Sequence, residues 1–251
     1  MGSEAKDSKR FAVLVCEDAE KWGGKDVIGE RFKNLLKHKD DDDAEWRWFN
    51  ACTGDLPAEQ DLDKFQGFVI SGSHYSANDD KEWVRKTENL IASLAKKPTS
   101  SPRVVGICFG HQLIAKALGG VVGPNPSGNF VLRSEKVKAT TENSLVSKLF
   151  KNGQLNMLES HSECVTELPP KAQSLASSNS CEHEMILFTE NILGVQCHPE
   201  VTGEELEQKV LPSLMNSKLL TEEEGAMVQE SLKFPVHSSE VNHMLSDFLH
   251  Q

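Results

Sequence analysis

The chain has 251 residues, of which 38% are hydrophobic, and its formal net charge is -11. That length suffices for one α/β domain with a full core, and the acidic balance without a basic stretch argues against nucleic-acid binding through phosphate neutralisation. No apolar run approaches the roughly 18 residues that span a bilayer, and the polar first ten residues lack the apolar segment of a secretory signal. We therefore expect a cytoplasmic protein that contacts neither nucleic acid nor membrane.

Strands and helices alternate through the first half of the chain. Short apolar runs predict strands at residues 11–15, 46–49, 68–70 and 104–107. Helical spacing of apolar residues predicts helices at residues 27–37, 81–95 and 111–118. This alternation predicts an open, mainly parallel sheet with helices on both faces, which is an α/β fold.

The pattern changes beyond Val121. Residues 132–139 and 185–197 read as strands, the latter as a hairpin that turns near Glu190 and Asn191. The chain from Gly203 onward has helical spacing, and its last apolar stripe is expected to dock on the domain through Val241, Met244, Leu245, Phe248 and Leu249. We expect one domain over residues 10–200 and a helical extension over residues 201–251 packed on it.

The cysteines and acidic residues give no sign of a metal site. Without a secretory signal the cysteines are expected to be reduced, and none of the six forms a CxxC pair: Cys16, Cys52, Cys108, Cys164, Cys181 and Cys197. The pairs Cys181/His183 and Cys197/His198 match no common zinc spacing. We expect no metal and no cofactor, and we expect the acidic run from Asp40 to Asp43 to be a solvated loop.

The segment Gly106-Ile-Cys-Phe-Gly110 joins a buried strand to a helix, which is the context of a nucleophile elbow. Such a turn crowds the backbone around the nucleophile, and small residues two before and two after relieve the crowding. The sulfur of Cys108 would lie near the N-terminus of the helix, where the dipole and free N–H groups favour a thiolate. The N–H of Phe109 would point toward an oxyanion formed beside the sulfur. Taken alone, the motif also fits a buried structural cysteine.

A second motif, Gly194-Val-Gln-Cys-His198-Pro-Glu200, runs from a strand into a loop. In an extended chain, side chains two residues apart face the same way. The carboxylate of Glu200 can then hold the tautomer of His198 and stabilise its cation. The imidazole can take the proton of a thiol and later protonate a leaving amine. We therefore predict that Cys108, His198 and Glu200 are catalytic.

The motifs FVISGS, GICFGHQ and GVQCHPE, in this order, resemble those of the class I glutamine amidotransferases, also called triad amidotransferases. The resemblance covers roughly residues 10 to 200. It implies an open, flavodoxin-like sheet and hydrolysis of the glutamine side-chain amide through a γ-glutamyl thioester. Cys108 would be the nucleophile, His198 the base and acid, and Glu200 the orienting carboxylate.

The resemblance also implies substrate contacts. Gln112 matches the glutamine-contacting position of GxCxGxQ, and Ser160-His161-Ser162 resembles the segment that holds the amino-acid end, with a plain structural loop as the alternative. A second oxyanion donor is expected from the backbone of Ser71-Gly72-Ser73. Family members often have Gly-Gly-Pro here, whereas this chain has Gly72-Ser73-His74. His74 and His111 flank these motifs and are interpreted as rim or packing residues.

Three functions stay open. The favoured one is a stand-alone hydrolase of γ-glutamyl compounds, because residues 61–73 resemble the GMP-synthase-like group that includes the plant γ-glutamyl peptidases, which act on glutathione conjugates. Its partner would be a small-molecule substrate that differs from glutamine only in the leaving amine. The second is a glutaminase subunit that delivers ammonia to a separate synthetase, since the sequence has no P-loop of its own. The third is a non-catalytic binding protein, against which the intact triad argues.

Overall fold

Strands form the centre of the structure, and helices flank them. The computed structural model describes residues 8–39, 41, 43–98, 102–151 and 153–251. The strands are β1 (Arg10–Val15), β2 (Glu45–Asn50), β3 (Gly67–Ile70), β4 (Arg103–Ile107), β5 (Val121–Pro124), β6 (Val131–Ala139), β7 (Gln154–His161), β8 (Glu163–Glu167), β9 (Gln173–Ser177), β10 (Met185–Thr189) and β11 (Ile192–Val195). The helices are α1 (Gly24–Leu36), α2 (Glu82–Ala95), α3 (Phe109–Ala117), α4 (Ser144–Ser147), α5 (Gly203–Lys209), α6 (Leu211–Asn216), α7 (Glu222–Leu232) and α8 (Ser238–Leu249).

Nine strands form one sheet in the order β2-β1-β3-β4-β11-β10-β9-β6-β7. The first five strands in this order (β2, β1, β3, β4 and β11) pair in parallel. They have the 2-1-3-4-5 arrangement of flavodoxin-like folds. The strands from β10 to β7 extend the sheet with antiparallel pairs, and β5 and β8 form a separate two-stranded sheet. The expected α/β fold is confirmed. The antiparallel half of the sheet is larger than the sequence indicated, because β7 and β9 were not predicted. The separate pair of β5 and β8 was not predicted either.

The parallel strands are buried on both faces. Every residue of β3 and β11 is buried, as are five of the six residues of β1. One apolar cluster joins alternate strand residues to Phe32 of α1 and Phe248 of α8. The other joins the opposite face to Leu94 of α2 and Leu113 of α3. Helices therefore cover both faces, as a parallel sheet requires.

The C-terminal helix α8 packs against the domain, as the apolar stripe predicted. The five residues of that stripe are at most 9% exposed. Two polar side chains of α8 also bind the domain: Asn242 Nδ2 donates to Pro199 O over 2.7 Å, and Ser246 Oγ donates over 2.8 Å to Leu36 O at the end of α1. The bond to Pro199 links α8 to the segment between His198 and Glu200. None of the described helices combines the length and apolarity needed to cross a bilayer.

The acidic run is only partly described, since Asp40 and Asp42 lie outside the described residues. The expectation of a solvated loop is wrong for Asp41, whose side chain has no exposed surface. Lys9 Nζ lies 3.1 Å from Asp41 Oδ1, and the N–H of His38 donates to Oδ2 over 3.1 Å. Burial, the largest influence, raises the pKa of Asp41, but these hydrogen bonds outweigh it and the net shift is downward. Asp41 therefore connects the chain after α1 to Lys9, the residue directly before β1.

Candidate active site

Cys108 occupies the sharp turn between β4 and α3. Its φ of 48° and ψ of -103° are strained for a residue with a side chain. The backbone holds this conformation from both sides, because Cys108 N donates to Val195 O over 2.8 Å and Cys108 O accepts from Gln112 N over 3.0 Å. The structure thus has the strand-to-helix elbow that the sequence predicted.

Glycine is required on both sides of the elbow. A Cβ on Gly106 would lie 2.7 Å from the carbonyl carbon of Gly110, and a Cβ on Gly110 would lie 2.8 Å from the carbonyl carbon of Ile70. Both contacts are with backbone, which cannot rotate away. The absence of these two side chains lets α3 begin directly against β3 and β4 and keeps Cys108 at the carboxyl end of the sheet.

His198 and Glu200 form the pair that the sequence predicted. His198 Nδ1 lies 2.8 Å from Glu200 Oε1, and their side chains are 13% and 9% exposed. Burial, the largest single influence, lowers the pKa of His198, but the charge of Glu200 and the hydrogen-bonded Cys108 together outweigh it, so that the net pKa lies well above its usual value. The loop is anchored by His198 N, which donates to Leu158 O over 2.9 Å. A positively charged His198 is therefore favoured between the thiol and the carboxylate.

Gly72 contacts both members of the Cys108–His198 pair. A Cβ on Gly72 would lie 3.1 Å from Cε1 of His198 and 3.8 Å from Cβ of Cys108. The segment Ser71–Ser73 is an irregular loop at the end of β3. The loop therefore lies beside both Cys108 and His198.

The hydroxyl of Ser71 orients this loop and was not singled out from the sequence. Ser71 Oγ accepts from Cys16 N over 2.9 Å and donates to Gly72 O over 2.8 Å. Because C=O and N–H point in opposite directions in a trans peptide, this bond directs the N–H of Ser73 away from Ser71. The N–H of Phe109, in the first turn of α3, has no acceptor within its helix. Phe109, Ser73 and Gly72 line the cavity beside Cys108, and their role as oxyanion donors stays a prediction.

Gln112 makes contacts that tie three segments together. Gln112 Nε2 donates to Glu163 O over 2.8 Å and to Gln196 Oε1 over 3.0 Å. Gln196 Nε2 in turn donates to Cys108 Sγ over 3.5 Å. Gln196 belongs to the GVQCHPE motif, but sequence reasoning assigned it no role. Its fully buried position against the sulfur makes it part of the site.

The segment Ser160-His161-Ser162 also borders Cys108. Ser160 O lies 4.0 Å from Cys108 Sγ, and all three residues line the same cavity. The ring of His161 is only 1% exposed, so that a contact with substrate would fall chiefly to the backbone of this segment. The segment forms the end of β7 and the turn into β8, and its contact with substrate stays a prediction.

The two flanking histidines lie as the sequence predicted. His74 is a rim residue with 43% of its side chain exposed, and its Nδ1 lies 2.6 Å from Glu17 Oε1. His111 is fully buried beside Phe188, and burial lowers its pKa to about 3. Neither ring is arranged to act on Cys108.

A cavity of about 270 Å³ opens over Cys108 and contains all ten residues predicted for the site. One part is polar and includes Gln112 and the turn from Ser160 to Glu163. Another part is an apolar wall, which consists of Trp22, Ile28, Phe32, Phe130, Val201, Leu206, Val210 and Leu214. Sequence reasoning did not find this wall, because its residues come from α1, α5, α6 and separate loops.

Two groups among the described residues have the side chains to hold a metal ion. One is Glu17, Asp18 and His74 at the rim, and the other is the buried set Glu159, His161 and Glu184. The six cysteines are free thiols, and all but Cys52 are buried. Neither group includes the nucleophile.

Comparison with known proteins agrees with this architecture. A family model described as glutamine amidotransferase class-I matches residues 43–216. The chain is 39% identical over 202 residues to γ-glutamyl peptidase 4 of Arabidopsis thaliana, covering 78% of this chain and 77% of that relative. It is 34% identical over 151 residues to one chain of the glutamine-hydrolysing GMP synthase of Thermococcus kodakarensis, covering 60% of this chain and 77% of that relative. A glutamine amidotransferase structure from Thermotoga maritima superimposes with a TM-score of 0.70 over 97% of this chain and 99% of that one, at 16% identity. The chain therefore belongs to the class I glutamine amidotransferase family.

Proposed function

We propose that this protein hydrolyses the γ-glutamyl amide bond of glutathione-like peptides, including glutathione S-conjugates, through a γ-glutamyl thioester on Cys108. The observation that carries the proposal is the cavity, which continues from Cys108 to the apolar wall of Trp22, Ile28, Phe32, Phe130, Val201, Leu206, Val210 and Leu214. Glutamine releases only ammonia and has no group to fill such a wall. A cysteinyl peptide with an S-linked apolar substituent does.

The relatives support the same substrate class. γ-Glutamyl peptidases 3 and 4 of Arabidopsis thaliana are 32% and 39% identical to this chain, and their names describe cleavage of γ-glutamyl peptides. The γ-glutamyl end of every such substrate is the same as that of glutamine. The polar part of the cavity, with Gln112 and the backbone of Ser160-His161-Ser162, would hold this shared end. We include the cytoplasmic location expected from the sequence in the proposal.

The reaction follows from the positions of the three catalytic residues. His198 carries the proton given up by Cys108, as its raised pKa favours, and the sulfur forms a bond to the γ-carbonyl carbon. The oxyanion accepts hydrogen bonds from the N–H groups of Phe109 and Ser73, an arrangement in which one donor contributes about 3–4 kcal/mol. The C–N bond breaks as His198 protonates the leaving amine, which leaves the thioester.

Water then completes the cycle. His198 removes a proton from a water molecule, whose oxygen attacks the thioester carbon. The C–S bond breaks, the γ-carboxylate is released, and the proton returns to the sulfur of Cys108. The part of Glu200 is to hold Nδ1 of His198 at 2.8 Å and to stabilise the imidazolium.

The test is amine release by the purified protein from glutamine, glutathione and a glutathione S-conjugate. We expect turnover of the peptides that Cys108→Ala abolishes. The apolar wall is tested with Ser213→Trp, since Ser213 lines the cavity and is exposed. This variant should lower kcat/KM for the S-conjugate more than for glutamine. Ser217→Trp, one turn further along the chain and outside the cavity lining, is the matched control. Equal losses with all substrates would contradict the assignment of the wall.

A second function is favoured by the likeness to a GMP synthase chain. In that case the protein would be a glutaminase that delivers ammonia to a separate synthetase. Activity on glutamine alone, stimulated by a co-purifying ATP-dependent chain, would support it. Absence of Cys108-dependent turnover of any substrate, with the thiol unreactive to a γ-glutamyl electrophile, would instead favour a non-catalytic binding protein.

A further inference from the structure

A cluster of buried polar side chains, called the wedge below, lies beside β6 in the antiparallel half of the sheet. It consists of Glu135, Glu159, His161, Ser180 and Glu184. The strand β6 pairs with β9 only at Lys138 and Ala139, so that its earlier residues have no β9 partner. The loop between β9 and β10 occupies this side of β6, since Ser180 Oγ donates to Glu135 Oε2 over 2.5 Å. Side chains from β6, β7 and this loop therefore meet in the interior of the domain.

Three ionisable side chains converge in the wedge. Glu159 and His161 lie on β7, and Glu184 lies at the end of the loop. Their exposed fractions are 0%, 4% and 1%. One ligand atom from each lies within 4.8 Å of the other two. Because residues two apart on a strand share a face, Glu159 and His161 point to the same side, toward Glu184.

These side chains do not satisfy one another by hydrogen bonds. Among the described residues, neither carboxylate oxygen of Glu159 has a hydrogen-bond partner, nor does Nε2 of His161 or Oε2 of Glu184. The nearest approach that the structure gives is 3.5 Å, between His161 Nε2 and Glu159 Oε2. Four buried polar atoms thus converge on the same small volume. Such atoms are costly when left unpaired.

The charge of the wedge is also unbalanced. Glu135 is paired with Arg133, whose Nη2 lies 3.1 Å away. No described lysine or arginine makes a salt bridge with Glu159 or Glu184. Burial, the largest influence, raises the pKa of both carboxyls. The charges of His198 and Arg133 lower the pKa of Glu159, but by less than burial raises it. Two buried carboxylates without a lysine or arginine in a salt bridge require either protons or a bound cation.

We propose that Glu159, His161 and Glu184 bind one divalent first-row transition-metal ion. Two carboxylates neutralise its charge, and a mixed set of oxygen and imidazole ligands suits ions such as Zn²⁺ and Mn²⁺. The ion would join β7 to the loop before β10 and so has a structural role. It would also stiffen Ser160, which lies between two of the ligands and whose carbonyl faces Cys108. The site does not depend on the proposed hydrolase activity.

The test is metal binding by the full chain, freed of metal by chelation and dialysis. Zn²⁺ and Mn²⁺ are added separately and followed by elemental analysis, by the Mn²⁺ electron paramagnetic resonance signal and by Tm. Mn²⁺ is included because it prefers oxygen ligands, so that the free thiols do not compete for it. We expect one ion for each chain, together with a Tm that rises with metal concentration.

Variants locate the ion. Glu159→Gln and Glu184→Gln should each weaken binding at least about tenfold. Glu182→Gln, an exposed change of the same chemistry two residues before Glu184, should leave the affinity unchanged. If one of these two variants fails to fold, the other still tests whether the ion lies at this site.

Two results would overturn the proposal. One is stoichiometric metal retained equally by Glu159→Gln and Glu184→Gln, which would locate the ion elsewhere. The other is a wild-type protein that binds neither ion and shows the infrared band of a protonated carboxyl that Glu184→Gln removes. A shared proton would then balance the charge of the wedge.

Discussion

Gln112 Nε2 donates a hydrogen bond to Gln196 Oε1 over 3.0 Å, and this bond joins the elbow motif to the loop that carries His198 and Glu200. The two glutamines are 84 residues apart in the sequence. The same Gln196 donates to Cys108 Sγ over 3.5 Å. One buried amide therefore contacts both the sulfur of Cys108 and the side chain of Gln112.

We expect Gln196→Ala to lower kcat/KM about tenfold, because it removes the donor to Cys108 and one of the two acceptors of Gln112 Nε2. Gln112→Ala should act through the same bond. A double-mutant cycle in kcat/KM should therefore give a coupling energy of about 0.5–3 kcal/mol. Strictly additive losses would mean that the two glutamines act independently.

Cys108→Ala should lower the rate of amine release by at least about 10³-fold with the fold preserved, because the nucleophile is lost. The measurement is single-substrate kinetics, with circular dichroism to check folding. Cys52→Ala is the control, since Cys52 is a half-buried thiol that does not line the cavity. Near-normal turnover by a folded Cys108→Ala protein would end the triad hypothesis.

His198→Ala should lower kcat more than Glu200→Gln does. In the proposed mechanism His198 transfers protons in both halves of the reaction, whereas Glu200 orients the ring. We expect losses of about 10³-fold and about 10²-fold, respectively. The comparison needs kcat at saturating substrate for both variants. The opposite order would assign the proton transfer to another group.

Gly110 and Gly72 are expected to affect different properties: Gly110 the stability of the fold, and Gly72 the activity of the site. Gly110→Ala brings a Cβ to 2.8 Å from the carbonyl carbon of Ile70, and it should destabilise the protein by at least about 3 kcal/mol. Gly72→Ala meets the ring of His198 at 3.1 Å instead. It should cost less than about 1 kcal/mol of stability while it lowers kcat about 10- to 100-fold. Urea unfolding together with kinetics distinguishes the two effects; a fully active Gly72→Ala protein would show that the ring has room to move.

The parts of this protein that could be predicted are those whose cause is local. The buried runs of β1 and β4 and the glycines around Cys108 carry their reason within a few residues. The strand β7 escaped prediction because Glu159 and His161 are polar yet buried, which breaks the apolar pattern of an interior strand. The contacts of Gln196 and the apolar wall depend on segments that meet only in the folded chain. No pattern of spacing in the sequence therefore predicts them.

The charge of His198 should make stability depend on pH. The net influence of its surroundings raises the pKa of His198 in the folded protein, above its unfolded value of about 6.5. A group with a raised folded pKa binds its proton more tightly in the native state, so that its stabilisation is complete below about pH 6.5 and is lost as the pH rises through the folded pKa. We therefore expect the difference in free energy of unfolding between the wild type and His198→Ala to be larger at about pH 6 than at about pH 9, as measured by urea denaturation. His243→Ala, which removes an exposed histidine on α8, should show no such change. A difference that grows with pH would mean that His198 is neutral in the folded protein and that the thiol keeps its proton until substrate binds.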